Sequence, residues 1–139
     1  MSYLLDTCVL SEYTQKRPDP KVMSWVDRAA EATLHISVLS VGEIRQGATH
    51  VADARKSARL EAWLQDELLP RFEQRVLPVD MEIALAWGAL RGRLLRKGKP
   101  VSLFDSLIAA TASVHGFSVV TRNVRDFHLL GVKVVNPWQ

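Results

Sequence analysis

Four carboxylates, Asp6, Glu43, Asp105 and Asp126, fall where short apolar runs give way to helices or turns. An all-oxygen set of this kind suits a hard divalent cation such as Mg²⁺ or Mn²⁺, and so metal-assisted chemistry. Four like charges on one rim repel one another unless such a cation sits between them. The chain has no Cys/His cluster for zinc, no Gly-x-Gly-x-x-Gly and no Walker loop. Each acid also has an ordinary structural role open to it. Asp6 fits the N-cap of the helix that follows it. Ser40-Val41-Gly42-Glu43 and Ser102-Leu103-Phe104-Asp105 both read as capping boxes, and Asp126 fits a solvated turn. Asp80 fits capping alone and stands outside the set. Convergence of the four on one place would separate a ligand set from a series of caps.

The elements that must bring them together are legible as apolar runs. The most apolar follows the Gly98-Lys99-Pro100 turn and reads as one helix to about His115, closed by Gly116. Phe104, Leu107, Ile108, Ala109, Ala110, Ala112 and Val114 go nearly all the way round it, the pattern of a helix buried on every side. A carboxylate in its first turn is costly unless neutralised. No Lys or Arg lies within a helical turn of Asp105, so its partner comes from elsewhere in the chain or is a bound cation.

Short buried strands are expected at Tyr3–Leu5, Leu34–Ser37, Val76–Val79, Ser118–Thr121 and Val132–Val135. Between them fall a short helix from Thr7 to Tyr13 and one starting at Asp19-Pro20. Next come a helix over Val38–Ala48, with Val38, Val41, Ile44 and Ala48 inward, and one over Asp53–Leu68, with Pro70 past its end. A long helix follows Asp80 with the stripe Ile83, Trp87, Leu90 and Leu94, and Asn123–Phe127 reads as a turn or one-turn helix. Strands alternating with helices indicate an α/β fold, a single domain over residues 1–139 with a mostly parallel central sheet flanked by helices. In such sheets ligands bind outside the carboxyl ends of the strands. Asp6 and Asp126 follow strands, while Glu43 and Asp105 lie in first turns of helices on that same side.

The composition is ordinary for a globular chain of 139 residues, 47% hydrophobic and 24% charged. The single cysteine, Cys8, allows no internal disulfide and fits a reducing compartment. The first residues lack the basic region of a signal peptide, and no apolar run approaches membrane-spanning length, so a cytoplasmic, membrane-free location is expected. A net charge of +3 permits a nucleic-acid partner without requiring one.

Leu4-Leu5-Asp6-Thr7, Ser40-Val41-Gly42-Glu43-Ile44, Phe104-Asp105-Ser106-Leu107-Ile108-Ala109-Ala110-Thr111-Ala112 and Val120-Thr121-Arg122-Asn123-Val124-Arg125-Asp126-Phe127, in this order and spacing, resemble the PIN-domain ribonucleases, specifically the VapC toxins of toxin–antitoxin pairs. The resemblance runs from Leu4 to Asn136-Pro137-Trp138. It implies a PIN-like domain and a Mg²⁺-dependent endoribonuclease, with Mn²⁺ able to substitute. It also implies a cognate VapB-type antitoxin that holds the enzyme inactive, tRNA or ribosomal RNA as substrate, a homodimer, and operator DNA reached only through the antitoxin. By motif, Asp6 and Asp105 match the chief metal-binding acids, and Glu43 and Asp126 complete the acidic pocket. Thr121 and Asn123 match the polar residues that support it. Arg122 and Arg125 flank the pocket and are candidates for RNA contact. The family usually has Asn where this chain has Cys8, which alters a hydrogen bond behind the metal ligands or leaves Cys8 as a small core residue.

Arg91, Arg93, Arg96, Lys97 and Lys99 form a basic cluster, either a solvated cationic helix end or an RNA phosphate contact. Trp25, Trp63 and Trp87 fall on or near helix stripes and read as core. Three rival functions share parts of this pattern. A phospho-receiver domain has a Mg²⁺ pocket, but expects paired acids after the first strand. A metal-free nuclease would use two of His35, His50, His115 and His128. A module that binds antitoxin and DNA without cleaving anything is the third.

Overall fold

Parallel strands cannot be joined by tight turns, and this chain places helical segments in the crossover between every consecutive pair. The computed structural model describes residues 1–139. Its strands are β1 (Tyr3–Leu5), β2 (Leu34–Ser37), β3 (Val76–Leu77), β4 (Ser118–Val120) and β5 (Val134–Val135). All neighbours pair in parallel, in the order β3-β2-β1-β4-β5. β1 lies at the centre, with Leu4 opposite both His35 and Val119. β3 and β5 are shorter than their apolar runs. Pro78 has no N–H to give the ladder, and the left-handed Gly131 (φ 78°) still turns the chain just ahead of Val132.

The helices are α1 (Thr7–Ser11), α2 (Pro20–Arg28), α3 (Val38–His50), α4 (Ala54–Trp63), α5 (Leu69–Phe72), α6 (Met81–Arg96), α7 (Leu103–His115) and α8 (Val124–Leu129). Pro70 does not follow the end of the α4 segment. A π-turn over Leu64–Leu68 carries the helix on into α5, with Pro70 in its first turn. The longer i→i+5 loop, seen in Leu69 N–H bonding the Leu64 carbonyl, shifts the register so that the missing proline N–H falls at a fresh helix start.

Alternation along β1 and β4 divides the core. Leu4 and Val119 pack with Ile108, Ala109 and Phe127, whereas Leu5 and Val120 pack with Val9, Val22, Leu64 and Phe72. The small residues Ala109, Ala110 and Ala112 of α7 are buried. α7 is not buried all round, however. Leu103 is 55% exposed, and Ser113 and His115 face solvent. At roughly 20 Å it is about twice as long as a three-residue strand, so its ends overhang the sheet. α6 runs antiparallel to α7: Trp87 Nε1–H donates to Ser106 Oγ (3.0 Å), and Arg91, a turn further on, reaches back to the Val101 carbonyl (3.3 Å). Val38 is also more exposed than its stripe implied, at 41%, since it is the first residue of α3. No helix is long and apolar enough to cross a membrane.

The crossovers diverge at β1. One passes outward to β2 and β3, and the chain then returns past β1 to β4 and β5. The switch point therefore lies between the carboxyl ends of β1 and β4, where an open parallel sheet offers its ligand crevice. This strand order differs from the 2-1-3-4-5 order of receiver-like sheets, so that rival fold is excluded.

Candidate active site

The residue after β1 is Asp6, and the residue after β4 is Thr121. The Asp6 N–H donates to the Val120 carbonyl (2.9 Å), so the two strand ends leave the sheet side by side. Asp6 is 8% exposed. Its Oδ1 caps α1 by accepting from the Thr7 N–H (2.9 Å), and its Oδ2 accepts from Thr121 Oγ1 (2.8 Å). Cap and pocket roles thus coexist in one carboxylate. The same Thr121 hydroxyl accepts from the Asn123 N–H (3.0 Å). The Asn123 side-chain amide then donates to Asp105 Oδ2 (2.9 Å) and to Asp126 Oδ2 (3.0 Å). One continuous network therefore links Asp6, Thr121, Asn123, Asp105 and Asp126.

The capping question at Asp105 divides between backbone and side chain. Ser102 Oγ accepts from the Asp105 N–H (3.1 Å), as a capping box requires. The Asp105 carboxylate, however, turns to Asn123. At Glu43 the apparent box does not exist. α3 begins two residues earlier than Ser40, and Ser37 is its cap, accepting from the Leu39 N–H (3.0 Å). Ser40 instead accepts from Thr7 Oγ1 (2.8 Å), which fastens α3 to α1. Glu43 is left free to line a cleft of about 370 Å³ with Thr7, Ser11, Ile44, Lys56 and Trp63. Its charge is felt at Asp105.

None of these four acids forms an ion pair. The three ion pairs, Arg45–Glu61, Arg71–Glu31 and Arg75–Glu31, all lie elsewhere. Burial pushes the Asp105 carboxyl up to about 6, and the negative charges of Asp6, Asp126 and Glu43 add to the rise; the Asn123 hydrogen bond opposes it. This unrelieved negative charge on oxygen-only donors fits a hard divalent cation. No three of the acids form a ready-made cage. Mg²⁺ keeps several of its waters and takes one or two carboxylates, so two acids are enough to hold it. Asp6 and Asp105 are the two best placed to hold such an ion, being the two less exposed aspartates of a pocket whose third, Asp126, faces solvent.

Cys8 is half-buried beside Asp6, with Sγ 3.7 Å from Asp6 Oδ2 and 3.6 Å from Thr121 Oγ1. Burial and the Asp6 charge push the thiol up to about 11, so it stays protonated and serves as a weak donor behind Asp6. It also packs against the core, so both readings of Cys8 hold together. Arg122 and Arg125 are exposed on either side of Asn123. Trp138 lies under Arg122, with the guanidinium 4.6 Å from the ring centroid. Only the adjacency of Arg122 to the pocket was readable; a cation–π contact across 16 residues has no local signal. The histidines stay apart from the acids. His35 and His115 stack on Phe117, and His50 and His128 are exposed.

The PIN-domain family matches residues 3–132. The chain is 35% identical over 136 residues to the VapC ribonuclease Y4jK of Sinorhizobium fredii, covering 98% of this chain and 97% of that one. It is 34% identical over 135 residues to the toxin FitB of Neisseria gonorrhoeae, covering 97% of each. The crystal structure of FitAcB from Neisseria gonorrhoeae superposes with a TM-score of 0.93 at 34% identity, covering 99% of both chains.

The raised carboxyl of Asp105 carries a pH signature. Between about 4 and 6 the folded chain holds a proton that the unfolded chain has released, so stability falls as pH rises through that window and stays lowered above it. A shift of about two units corresponds to roughly 2.7 kcal/mol; for a half-buried, screened group about 1 kcal/mol is expected. Urea melts in EDTA at pH 4.5 and 7 should show this loss in wild type and its absence in Asp105→Asn. An equal pH dependence in both proteins would contradict it.

Proposed function

The chain belongs to the PIN-domain family, among its VapC-type members, and from that premise we propose that it is a Mg²⁺-dependent endoribonuclease acting as the toxin of a VapBC-type toxin–antitoxin pair. The observation that carries this reading is the meeting of Asp6, Asp105 and Asp126 in one hydrogen-bonded network, with Glu43 near enough for its charge to act on Asp105 and no ion pair to any of the four.

Asp6 and Asp105 hold the ion, and Glu43 and Asp126 complete the pocket. Thr121 fixes the Asp6 rotamer, and Asn123 holds Asp105 and Asp126 at one amide, its hydrogen bond favouring the charged form of Asp105. A divalent cation bound there supplies an activated water and neutralises charge on the phosphoryl oxygens. One of the carboxylates accepts the proton of the attacking water. Attack by water rather than by the ribose 2′-hydroxyl leaves 5′-phosphate and 3′-hydroxyl ends. Arg122, steadied on Trp138, and Arg125 bind backbone phosphates beside the scissile bond.

The substrate class is tRNA or ribosomal RNA. A VapB-type antitoxin silences the enzyme by placing a basic side chain in the acidic mouth, where it replaces the metal's charge. The active species is a homodimer, and operator DNA is engaged only through the antitoxin.

RNA cleavage should require Mg²⁺ or Mn²⁺ and stop in EDTA. Asp105→Asn should remain folded and lose at least about 100-fold in rate, a loss of about 2.7 kcal/mol in transition-state stabilisation. Full activity in chelator, or 2′,3′-cyclic phosphate ends, would contradict the reading. In binding assays, Arg122→Ala and Arg125→Ala should each weaken RNA binding and reduce its salt slope by about 0.7, as expected for one lost single-strand phosphate contact. Unchanged affinity and slope in both would remove these arginines from the interface.

A further inference from the structure

The connection between α6 and α7 holds the chain's largest concentration of unpaired positive charge. From Ile83 to Phe104 there is no acid, yet Arg91, Arg93, Arg96, Lys97 and Lys99 all fall there. Elsewhere thirteen cations face fifteen acids, so the net positive charge comes entirely from this segment. None of the five joins an ion pair. Arg91 is tied to the Val101 carbonyl, and the other four are exposed.

Attraction to the helix dipole accounts for Arg93 and Arg96, in the last turn of α6. Lys97 caps that helix and Lys99 lies beyond it, on either side of Gly98. That glycine is left-handed (φ 67°), which lets its N–H return to the Leu95 carbonyl (3.0 Å) and the Lys99 N–H to the Leu94 carbonyl (2.9 Å). The closure is of the Schellman type. The two lysines therefore project from a backbone fixed by hydrogen bonds.

The antiparallel packing of α6 on α7 puts this turn at the end of α7 that carries Asp105. Lys99 precedes the cap Ser102 by three residues and Asp105 by six. A cationic bank thus lies at the Asp105 end of α7, while Arg122 and Arg125 flank Asn123 on the α8 side. A polyanion delivered to four carboxylates is repelled by them, and cations beside the pocket offset that repulsion along the rest of the strand.

We propose that the α6–α7 turn, through Lys97 and Lys99 with Arg93 and Arg96 behind them, binds backbone phosphates of the RNA strand whose scissile bond lies in the acidic pocket. This assignment rests on the endoribonuclease reading above.

The test is the full chain with Lys97→Ala and Lys99→Ala together, and a second protein with Lys97→Arg and Lys99→Arg. Binding of a fluorescein-labelled single-stranded RNA of about 20 nucleotides is followed in EDTA from about 50 to 300 mM KCl, with melting measured alongside. The alanine pair should melt as wild type does, bind several-fold more weakly at low salt, and show a salt slope shallower by about 1.4, two contacts at about 0.7 each. The arginine pair should keep the wild-type slope. An unchanged slope in the alanine pair overturns the proposal, as does an arginine pair as weak as the alanine one. A poly-glutamate peptide that binds as tightly as the RNA, with the same lysine dependence, would make the turn a site for acidic protein instead. Cleavage by wild type in Mg²⁺ is read separately. Cleavage with an unchanged slope removes the turn alone; no cleavage with the expected slope change removes the endoribonuclease reading and leaves the turn as an RNA contact.

Discussion

Asp6, Glu43, Asp105 and Asp126 repel one another at one end of a parallel sheet, and none of them forms an ion pair with a Lys or Arg of the chain. The architecture around them limits that repulsion without cancelling it. Asn123 gives one proton to each of two carboxylates, and Thr121 passes a hydrogen bond from the Asn123 backbone to Asp6. These neutral donors fix where the oxygens point while leaving the site negative. The rise of the Asp105 carboxyl to about 6 is the residue of repulsion and burial that the hydrogen bonds do not offset. On the proposed reading a divalent cation relieves this repulsion, and the relief becomes binding energy.

The sheet makes the arrangement possible. Because the crossovers diverge at β1, the chain leaves the carboxyl ends of β1 and β4 on neighbouring tracks, and Asp6 and Thr121 meet without any loop having to reach. The helices bring the remaining acids by their N-termini, α7 for Asp105 and α8 for Asp126. Fastening of α3 to α1 through Thr7 and Ser40 brings Glu43 to the same side. The two cationic banks, one at the α6–α7 turn and one at Arg122 and Arg125, stand outside the acidic group. On the proposed reading, the acidic site is thereby kept distinct from the surface that draws RNA toward it.

Strand positions and the parallel α/β class were readable because buried strands write themselves as short apolar runs. The limits of β3 and β5 were not, since Pro78 and Gly131 act on individual ladder bonds. The Ser40–Glu43 and Ser102–Asp105 motifs look alike in sequence, yet only Ser102 caps, because α3 already starts where β2 ends, at Ser37, whereas α7 starts after a turn, at Ser102. Pro70 misled for a related reason: a π-turn is chosen by packing, here with Leu64 and Leu68 both buried. The acids were legible as a set only through their order and spacing. Asn123 as a two-way donor and Trp138 as the seat of Arg122 depend on contacts between distant segments, and no periodicity announces them.

The proposed function requires that the repelling acids at this crevice bind a divalent cation and that Asp105 be needed to hold it. Thermal melting of wild type and Asp105→Asn near pH 7.5, with and without Mg²⁺, tests it most directly. A ligand at about 100 times its Kd adds about 2.7 kcal/mol of stability, several degrees for a domain of this size. Mg²⁺ should raise the melting temperature of wild type by such an amount and leave Asp105→Asn nearly unmoved. A wild type indifferent to Mg²⁺, or an Asp105→Asn variant shifted equally, would contradict it.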